Sequence, residues 1–206
     1  MAADLREGLK QGMAKMEQAL AHGASPEQNG WKLTYHVFDY NLDFFEVGAL
    51  DDPRWKLPDS ETRHVERALS ARGGLWGNPG YEAAYAMAWD DGDGRPLDGS
   101  KSYRVRFAED PPCAAFWSVT MYDTPDSFLV DNPIDRYSIG DRTEGLVRAE
   151  DGSLTIHMQR EEPADPEARA NWLPTPAGAF RPILRIYEPE DAVFDGGYEL
   201  PPITAA

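Results

Sequence analysis

Residues 115–122 constrain the fold more than any other stretch, because they alternate as a β-strand and carry large side chains on both faces. One face holds Phe116, Ser118, Thr120 and Tyr122, and the other holds Trp117, Val119 and Met121. Bulky groups on both faces predict a strand that is covered on both sides. The face with Ser118, Thr120 and Tyr122 is too polar for an ordinary core, so the pattern indicates a lined cavity beside this strand.

Four further segments show the same period of two, and turn-forming residues separate them. The predicted strands are residues 81–89, 102–107, 154–159 and 182–187, the last being the final clear strand. Pro201 and Pro202 exclude the tail from the middle of a sheet, since proline has no N–H group to donate. Short strands at regular spacing predict an antiparallel β-sandwich or jelly-roll-like domain.

The N-terminal part of the chain has a helical pattern instead. Its apolar side chains recur every three or four residues at Leu5, Leu9, Met13, Met16 and Leu20. This stripe predicts a helix over residues 4–21, and a second helix is predicted over residues 59–72. Residues 31–48 are either a strand pair or an irregular aromatic layer. The sequence therefore predicts an α+β, mainly β protein, in which a helical region, residues 1–79, packs on a β domain, residues 80–206.

The charge of the chain excludes several classes of partner. There are 36 acidic and 20 basic residues, which gives a formal net charge of −16. This charge argues against nucleic acid and against anionic membrane surfaces, because both need a basic protein surface. No apolar run approaches the roughly 20 residues of a membrane span. The charged N-terminal segment is unlike a signal peptide, so a cytoplasmic location is expected.

No metal and no cofactor is expected. The single cysteine, Cys113, excludes an internal disulfide, and we expect it to be a small buried hydrophobe. Residues 90–94 predict a turn and not a calcium loop, because the final glutamate of such a loop is missing. No spacing of histidine and cysteine matches a zinc site.

A cluster of hydrogen-bonding and aromatic residues gives the candidate site, with a small molecule as the expected ligand. An arginine fork can hold a carboxylate, tyrosine and asparagine donate and accept, and tryptophan supplies an apolar wall. Structural roles are the alternative: Arg136 or Arg185 bonding loop carbonyls, Asn132 closing a turn, and Trp172 filling the core. The candidates are Tyr122, Arg136 and Asp123 as catalytic residues, and Ser118, Thr120, Asn132, Tyr137, Asn171, Trp172 and Arg185 as ligand-binding residues.

Several short motifs in the second half of the chain are specific as a set. They are Asp98-Gly99, Pro111-Pro112, the run 116–122, Asn132 with 136–140, 151–153, 171–174, Phe180, 185–187 and Pro201-Pro202. Together they resemble the DUF1214 family, a domain of unknown function usually found downstream of a DUF1254 domain. The resemblance implies a β-rich domain and supplies no activity, cofactor or catalytic residue. The upstream region is too short for a complete DUF1254 partner.

Three functions fit these patterns. The first is a metal-independent hydrolase or lyase acting on a small organic molecule, in which an arginine orients the substrate and a tyrosine or carboxylate moves the proton. The second is a non-catalytic module that binds a carbohydrate or another small ligand. The third is a structural or oligomerisation subunit that forms a homodimer through the N-terminal helix.

Overall fold

The computed structural model describes residues 2–22, 25–39, 53–55, 59–73, 77–124 and 126–206. The chain divides into two compact units. The first contains Met1–Ser25 and Tyr35–Glu82, and the second contains Pro26–Thr34 and Ala83–Ala206.

The first unit contains the two predicted helices, which are confirmed as α1 (Ala2–His22) and α2 (Ser60–Gly73). Asp59 caps α2, because its carboxylate accepts hydrogen bonds from the backbone N–H and the hydroxyl of Thr62. Lys15 of α1 pairs with Glu61 of α2 at 2.6 Å. Of the predicted aromatic layer, residues 40–48 lie outside the described residues.

The second unit contains a six-stranded sheet in which every pair of neighbours is antiparallel. Residues 26–34 contribute its first two strands, although the helical pattern dominates the sequence around them. Across the sheet the order is β1 (Glu27–Gln28), β2 (Trp31–Leu33), β3 (Ala83–Ala88), β9 (Phe180–Pro189), β5 (Cys113–Asp123) and β6 (Ser138–Gly140).

A four-stranded sheet completes this unit. Its order is β10 (Ile203–Ala205), β4 (Tyr103–Phe107), β7 (Leu154–Gln159) and β8 (Trp172–Pro174), and only β7 and β8 are parallel. Residues 182–187, the last clear strand of the sequence, are followed by β10, which the sequence pattern does not reveal. The exclusion of the proline-containing tail from a central position is confirmed, since β10 lies at the edge of the sheet.

The inner faces of the two sheets pack together and form the core. Phe107 of β4 lies 4.9 Å from Trp117 of β5 between ring centroids, and Tyr103 lies 5.7 Å from Phe180. The buried inner positions are those that the alternation predicts: Tyr103, Val105, Phe107, Leu154, Ile156 and Met158 on one sheet, and Trp117, Val119 and Met121 on the other. The α+β, mainly β fold is thereby confirmed.

Cys113 departs from its expected burial. It lies at the start of β5 and is half-buried. Burial raises the pKa of its thiol, and the nearby carboxylates of Asp141, Glu190 and Asp110 raise it further. The thiol form is therefore favoured at neutral pH, which does not suit a nucleophile.

Two short helices connect strands in the second unit. Helix α3 (Pro166–Ala170) precedes β8, and its N-cap Asp165 accepts a hydrogen bond from the backbone N–H of Ala168 at 2.8 Å. Helix α4 (Asp191–Asp195) follows β9 and ends at Gly196, whose φ of 84° lies in the left-handed region that glycine tolerates.

Candidate functional site

The outward face of the six-stranded sheet gathers polar and aromatic side chains from β3, β9 and β5. Directly paired residues lie on the same side of a sheet, so Tyr85, Arg185 and Ser118 form one row. Tyr122 and Arg181 are paired further along the same strands. We call this surface the arginine face, and it consists of Tyr85, Met87, Ser118, Thr120, Tyr122, Arg181, Ile183 and Arg185.

Arg185 contacts Tyr122 across the arginine face. Its Nη2 donates a hydrogen bond of 3.0 Å to the phenolic oxygen, and its guanidinium carbon lies 5.5 Å from the centroid of the tyrosine ring. Both side chains are half-buried. Because the phenolic oxygen accepts from Arg185, the hydroxyl of Tyr122 keeps its own hydrogen for donation to a ligand.

Arg181 is the second guanidinium of the arginine face. Its Nη2 donates a hydrogen bond of 3.1 Å to the hydroxyl of Ser127, and its guanidinium carbon lies 5.2 Å from the centroid of the Trp89 ring. Its Nε is buried and has no hydrogen-bond partner. Burial lowers the pKa of Arg181; Tyr122 opposes that shift and Arg185 adds to it. A nearby anion would stabilise the charged form.

The arginine face contains no acidic residue, although the chain carries 36 of them. Within the described part of the chain, neither Arg181 nor Arg185 forms an ion pair with a carboxylate. On the same side of the sheet, Glu27 of β1 lies opposite Lys32, which is paired with Met87. The arginine face is therefore a positively charged surface on an acidic protein.

Four of the predicted site residues belong to the arginine face: Ser118, Thr120, Tyr122 and Arg185. These four side chains are half-buried on the side away from the core, and the expected hollow beside β5 stays a prediction. Their roles toward a ligand stay predictions.

Arg136 and Asn132 lie elsewhere and bond to loop backbone. Nη1 of Arg136 donates to the carbonyl oxygens of Ala170 and Trp172, at 2.8 and 3.0 Å. Asn132 donates to the carbonyl oxygens of Val130 and Arg136, and its own oxygen accepts the backbone N–H of Arg136 at 2.9 Å. These contacts fasten the loop before β6 to Ala170 and to the first residue of β8.

Asn171 and Trp172 are also occupied by backbone contacts. The amide of Asn171 bonds both the N–H and the carbonyl of Val147, at 2.9 and 2.6 Å. Trp172 is 1% exposed, and its Nε1 donates to the carbonyl of Gln159 at 2.7 Å. Trp172 thus takes the structural position that the sequence had left open as an alternative, and Asn171 is likewise held by backbone contacts.

The last two predicted residues, Tyr137 and Asp123, bond to their own loops. The hydroxyl of Tyr137 lies 3.3 Å from the carboxylate of Asp135, and Asp123 accepts the backbone N–H of Phe128 at 2.7 Å. The structure therefore does not bring the whole predicted set to one place. The physical reason is that loop carbonyls and N–H groups need partners, and these polar side chains supply them.

Sequence reasoning missed Arg181. The signal was present, because Arg181 and Arg185 are four residues apart and positions of equal parity share one face of a strand. The predicted strand began at Pro182, one residue after Arg181, and so left Arg181 out of the face that it shares with Arg185. In the structure Pro182 lies inside β9 and is paired with Met121.

Two kinds of feature are absent from the described ranges. No three His, Cys, Asp or Glu side chains lie together there as a metal site would require. None of the helices in those ranges is both long and apolar enough to cross a membrane.

Comparison with known proteins gives the family of the chain. The sequence profile described as "Protein of unknown function (DUF1214)" matches residues 82–191, more than half of the 206 residues. The chain belongs to the DUF1214 family. The matched DUF1214 region runs from the start of β3 to the start of α4, so it contains every residue of the arginine face.

Solved structures resemble this DUF1214 protein as well. The VPA0106 protein from Vibrio parahaemolyticus is 34% identical with a TM-score of 0.59, and the match covers 70% of this chain. It covers only 35% of the Vibrio protein, so this chain spans about a third of its relative's length. An uncharacterized protein from Burkholderia cenocepacia is 15% identical with a TM-score of 0.39, and the match covers all of this chain and 52% of the Burkholderia chain. No curated protein matches this chain.

The different contacts of the two predicted arginines lead to different effects on stability. We expect Arg136→Ala to lower the free energy of unfolding by about 2 kcal/mol or more, because two carbonyl groups lose a charged donor. Arg185→Ala is the matched control, and we expect a change below about 1 kcal/mol, because its one hydrogen bond joins half-buried groups. Urea denaturation measures both values. Equal losses for the two variants would contradict this assignment.

Proposed function

We propose that this DUF1214 protein binds a small organic carboxylate on the arginine face. The observation that carries the proposal is the pair of half-buried guanidiniums, Arg181 and Arg185, which have no carboxylate partner among the described residues of an acidic protein. A partly desolvated charge without a counter-ion is unfavourable, and a bound carboxylate removes that cost.

The neighbours of the two guanidiniums favour an aromatic or unsaturated acid. Trp89 lies against Arg181, and Tyr122 lies against Arg185, so flat apolar surfaces flank both charges. Ser118 and Thr120, on the same face of β5, add hydroxyl groups that donate and accept. A neutral carbohydrate fits less well, because it gives the guanidiniums no opposite charge.

The hydrolase or lyase hypothesis fits the same surface as a second proposal. Tyr122 is the acid that its geometry favours, because Arg185 fixes its oxygen while its hydrogen remains available to a ligand. Replacing Tyr122 by phenylalanine should leave binding of benzoate within about threefold and abolish any turnover of an unsaturated acid such as cinnamate. Turnover that survives in Tyr122→Phe would exclude this role.

Binding is tested with benzoate and its neutral analogue benzamide, by isothermal titration calorimetry or NMR titration. We expect benzoate to bind and benzamide not to bind, because only benzoate carries a negative charge that can pair with the two guanidiniums. Arg181→Gln and Arg185→Gln should each weaken binding about tenfold or more, the value of one charged hydrogen bond. Arg160→Gln is the control, since Arg160 is an exposed cation that lies near Glu161.

The binding proposal fails on either of two results. One is equal affinity for benzoate and benzamide, which would mean that the charges are not used. The other is unchanged benzoate affinity in both arginine variants while each variant unfolds at the same urea concentration as the wild type.

We also propose that α1 mediates a homodimer. Leu5, Leu9 and Met13 are 70%, 65% and 49% exposed, and their spacing of four places them on one stripe of the helix. An apolar stripe this exposed is a feature of interaction surfaces. A second copy of the same stripe would cover it.

The dimer is tested by analytical ultracentrifugation. We expect the wild type to sediment as a dimer and Leu9→Lys as a monomer, because a charge in the middle of the stripe cannot be buried without a partner. Gln11→Lys is the control, since Gln11 lies on another side of α1 and bonds Glu7. A monomeric wild type, or a dimeric Leu9→Lys variant, would contradict the proposal.

A further inference from the structure

The outward face of the four-stranded sheet carries a cavity of about 460 Å³. The inner faces of the two sheets form the core, so this cavity and the arginine face lie on opposite sides of the sandwich. Its floor is a row of paired residues, Thr204 of β10, Arg104 of β4 and His157 of β7. The volume falls in the range of pockets that hold small molecules.

The walls of the cavity are held in place by hydrogen bonds. Asn171, 4% exposed, bonds both backbone groups of Val147, which fixes one wall. The same segment is tied at Ala149, whose N–H donates to the carbonyl of Ser153 at 3.0 Å. Glu167 of helix α3 and its N-cap Asp165 also line the cavity. The cavity is therefore a preformed feature of the β unit.

Charges of opposite sign line this cavity without neutralising each other. In the described part of the chain, neither Arg104 nor Glu167 forms an ion pair or a side-chain hydrogen bond. The carboxylate of Asp165 accepts a backbone N–H of α3 and also forms no ion pair. Arg106, the other cation of the lining, pairs with Asp151. One unpaired cation and two carboxylates therefore line the same space.

His157 adds hydrogen-bonding capacity to the floor. Burial lowers the pKa of its imidazole, Arg104 lowers it further, and Asp165 opposes both. The ring is neutral at pH 7 and offers one donor and one acceptor. Thr155 and Thr204 add hydroxyl groups beside it.

We propose that this cavity binds a small zwitterion, an α-amino acid, with its carboxylate at Arg104 and its ammonium group at Glu167. A simple anion would meet two carboxylates, and a simple cation would meet Arg104, whereas a zwitterion places an opposite charge against each. Pro201, Pro202 and Val147 supply apolar wall for an aliphatic side chain. The site is independent of the arginine face.

The probes are L-leucine, N-acetyl-L-leucine and L-leucinamide, which carry both charges, only the carboxylate and only the ammonium group. Binding is followed by NMR titration of the backbone amides of His157 and Thr204. L-leucine should bind at least about tenfold more tightly than either analogue, the value of one charged contact. Arg104→Gln should weaken L-leucine and N-acetyl-L-leucine, while Glu167→Gln should weaken L-leucine and L-leucinamide.

Two control variants separate this site from other charge effects. Glu161→Gln removes an exposed carboxylate that does not line the cavity, and Arg185→Gln removes a guanidinium of the arginine face. Glu161→Gln should leave L-leucine affinity unchanged, and Arg185→Gln should leave the L-leucine-induced shifts at His157 and Thr204 unchanged. Absence of any shift at His157 and Thr204 with L-leucine at about 10 mM would overturn the proposal, as would equal affinity for the three probes or unchanged affinity in both cavity variants.

Discussion

The pairing of β9 with its two neighbours is the interaction on which the rest of the β unit depends. β9 is hydrogen-bonded to β3 on one side and to β5 on the other. Because side chains alternate along a strand, this register sends Leu184 and Ile186 into the core and Arg181 and Arg185 to the opposite side. A slip of one residue would bury both guanidiniums. The packing of the core therefore fixes the strand register, and this register places both arginines on the outward face.

The two outward faces of the sandwich carry different sets of charged side chains. The arginine face has two guanidiniums and no acid, while an exposed, unpaired arginine and two exposed carboxylates line the opposite cavity. With 36 acidic residues in the chain, the isolation of Arg181 and Arg185 does not come from a shortage of carboxylates. Unpaired and partly desolvated charges such as those of Arg181 and Arg185 lower stability, and such groups are commonly kept at sites where a ligand completes them.

The fold was predictable from the sequence in segments where apolar residues recur with the period of a strand or a helix. The alternation in β4, β5 and β7 identifies their buried faces, because each inward position is apolar and each strand is bounded by turn residues.

The candidate site was predictable only in part. Tyr122 and Arg185 share a face through the pairing of β5 with β9, and sequence periodicity gives the parity of each strand but not which strands are neighbours. Arg136 and Asn171 have hydrogen-bonding groups as suitable for a ligand as those of Arg185 and Tyr122. Only the folded structure shows that these groups already bond to backbone carbonyls. Arg181 was missed because the predicted strand began at Pro182, whereas β9 begins at Phe180.

A crystal structure of the protein soaked with 4-bromobenzoate tests the central claim most directly, because anomalous scattering locates the bromine without prior assumptions. The arginine face predicts a carboxylate within hydrogen-bonding distance of the guanidiniums of Arg181 and Arg185, with the brominated ring against Tyr122 or Trp89. Bromine density only at other surfaces, with both guanidiniums still lacking an anion, would contradict it.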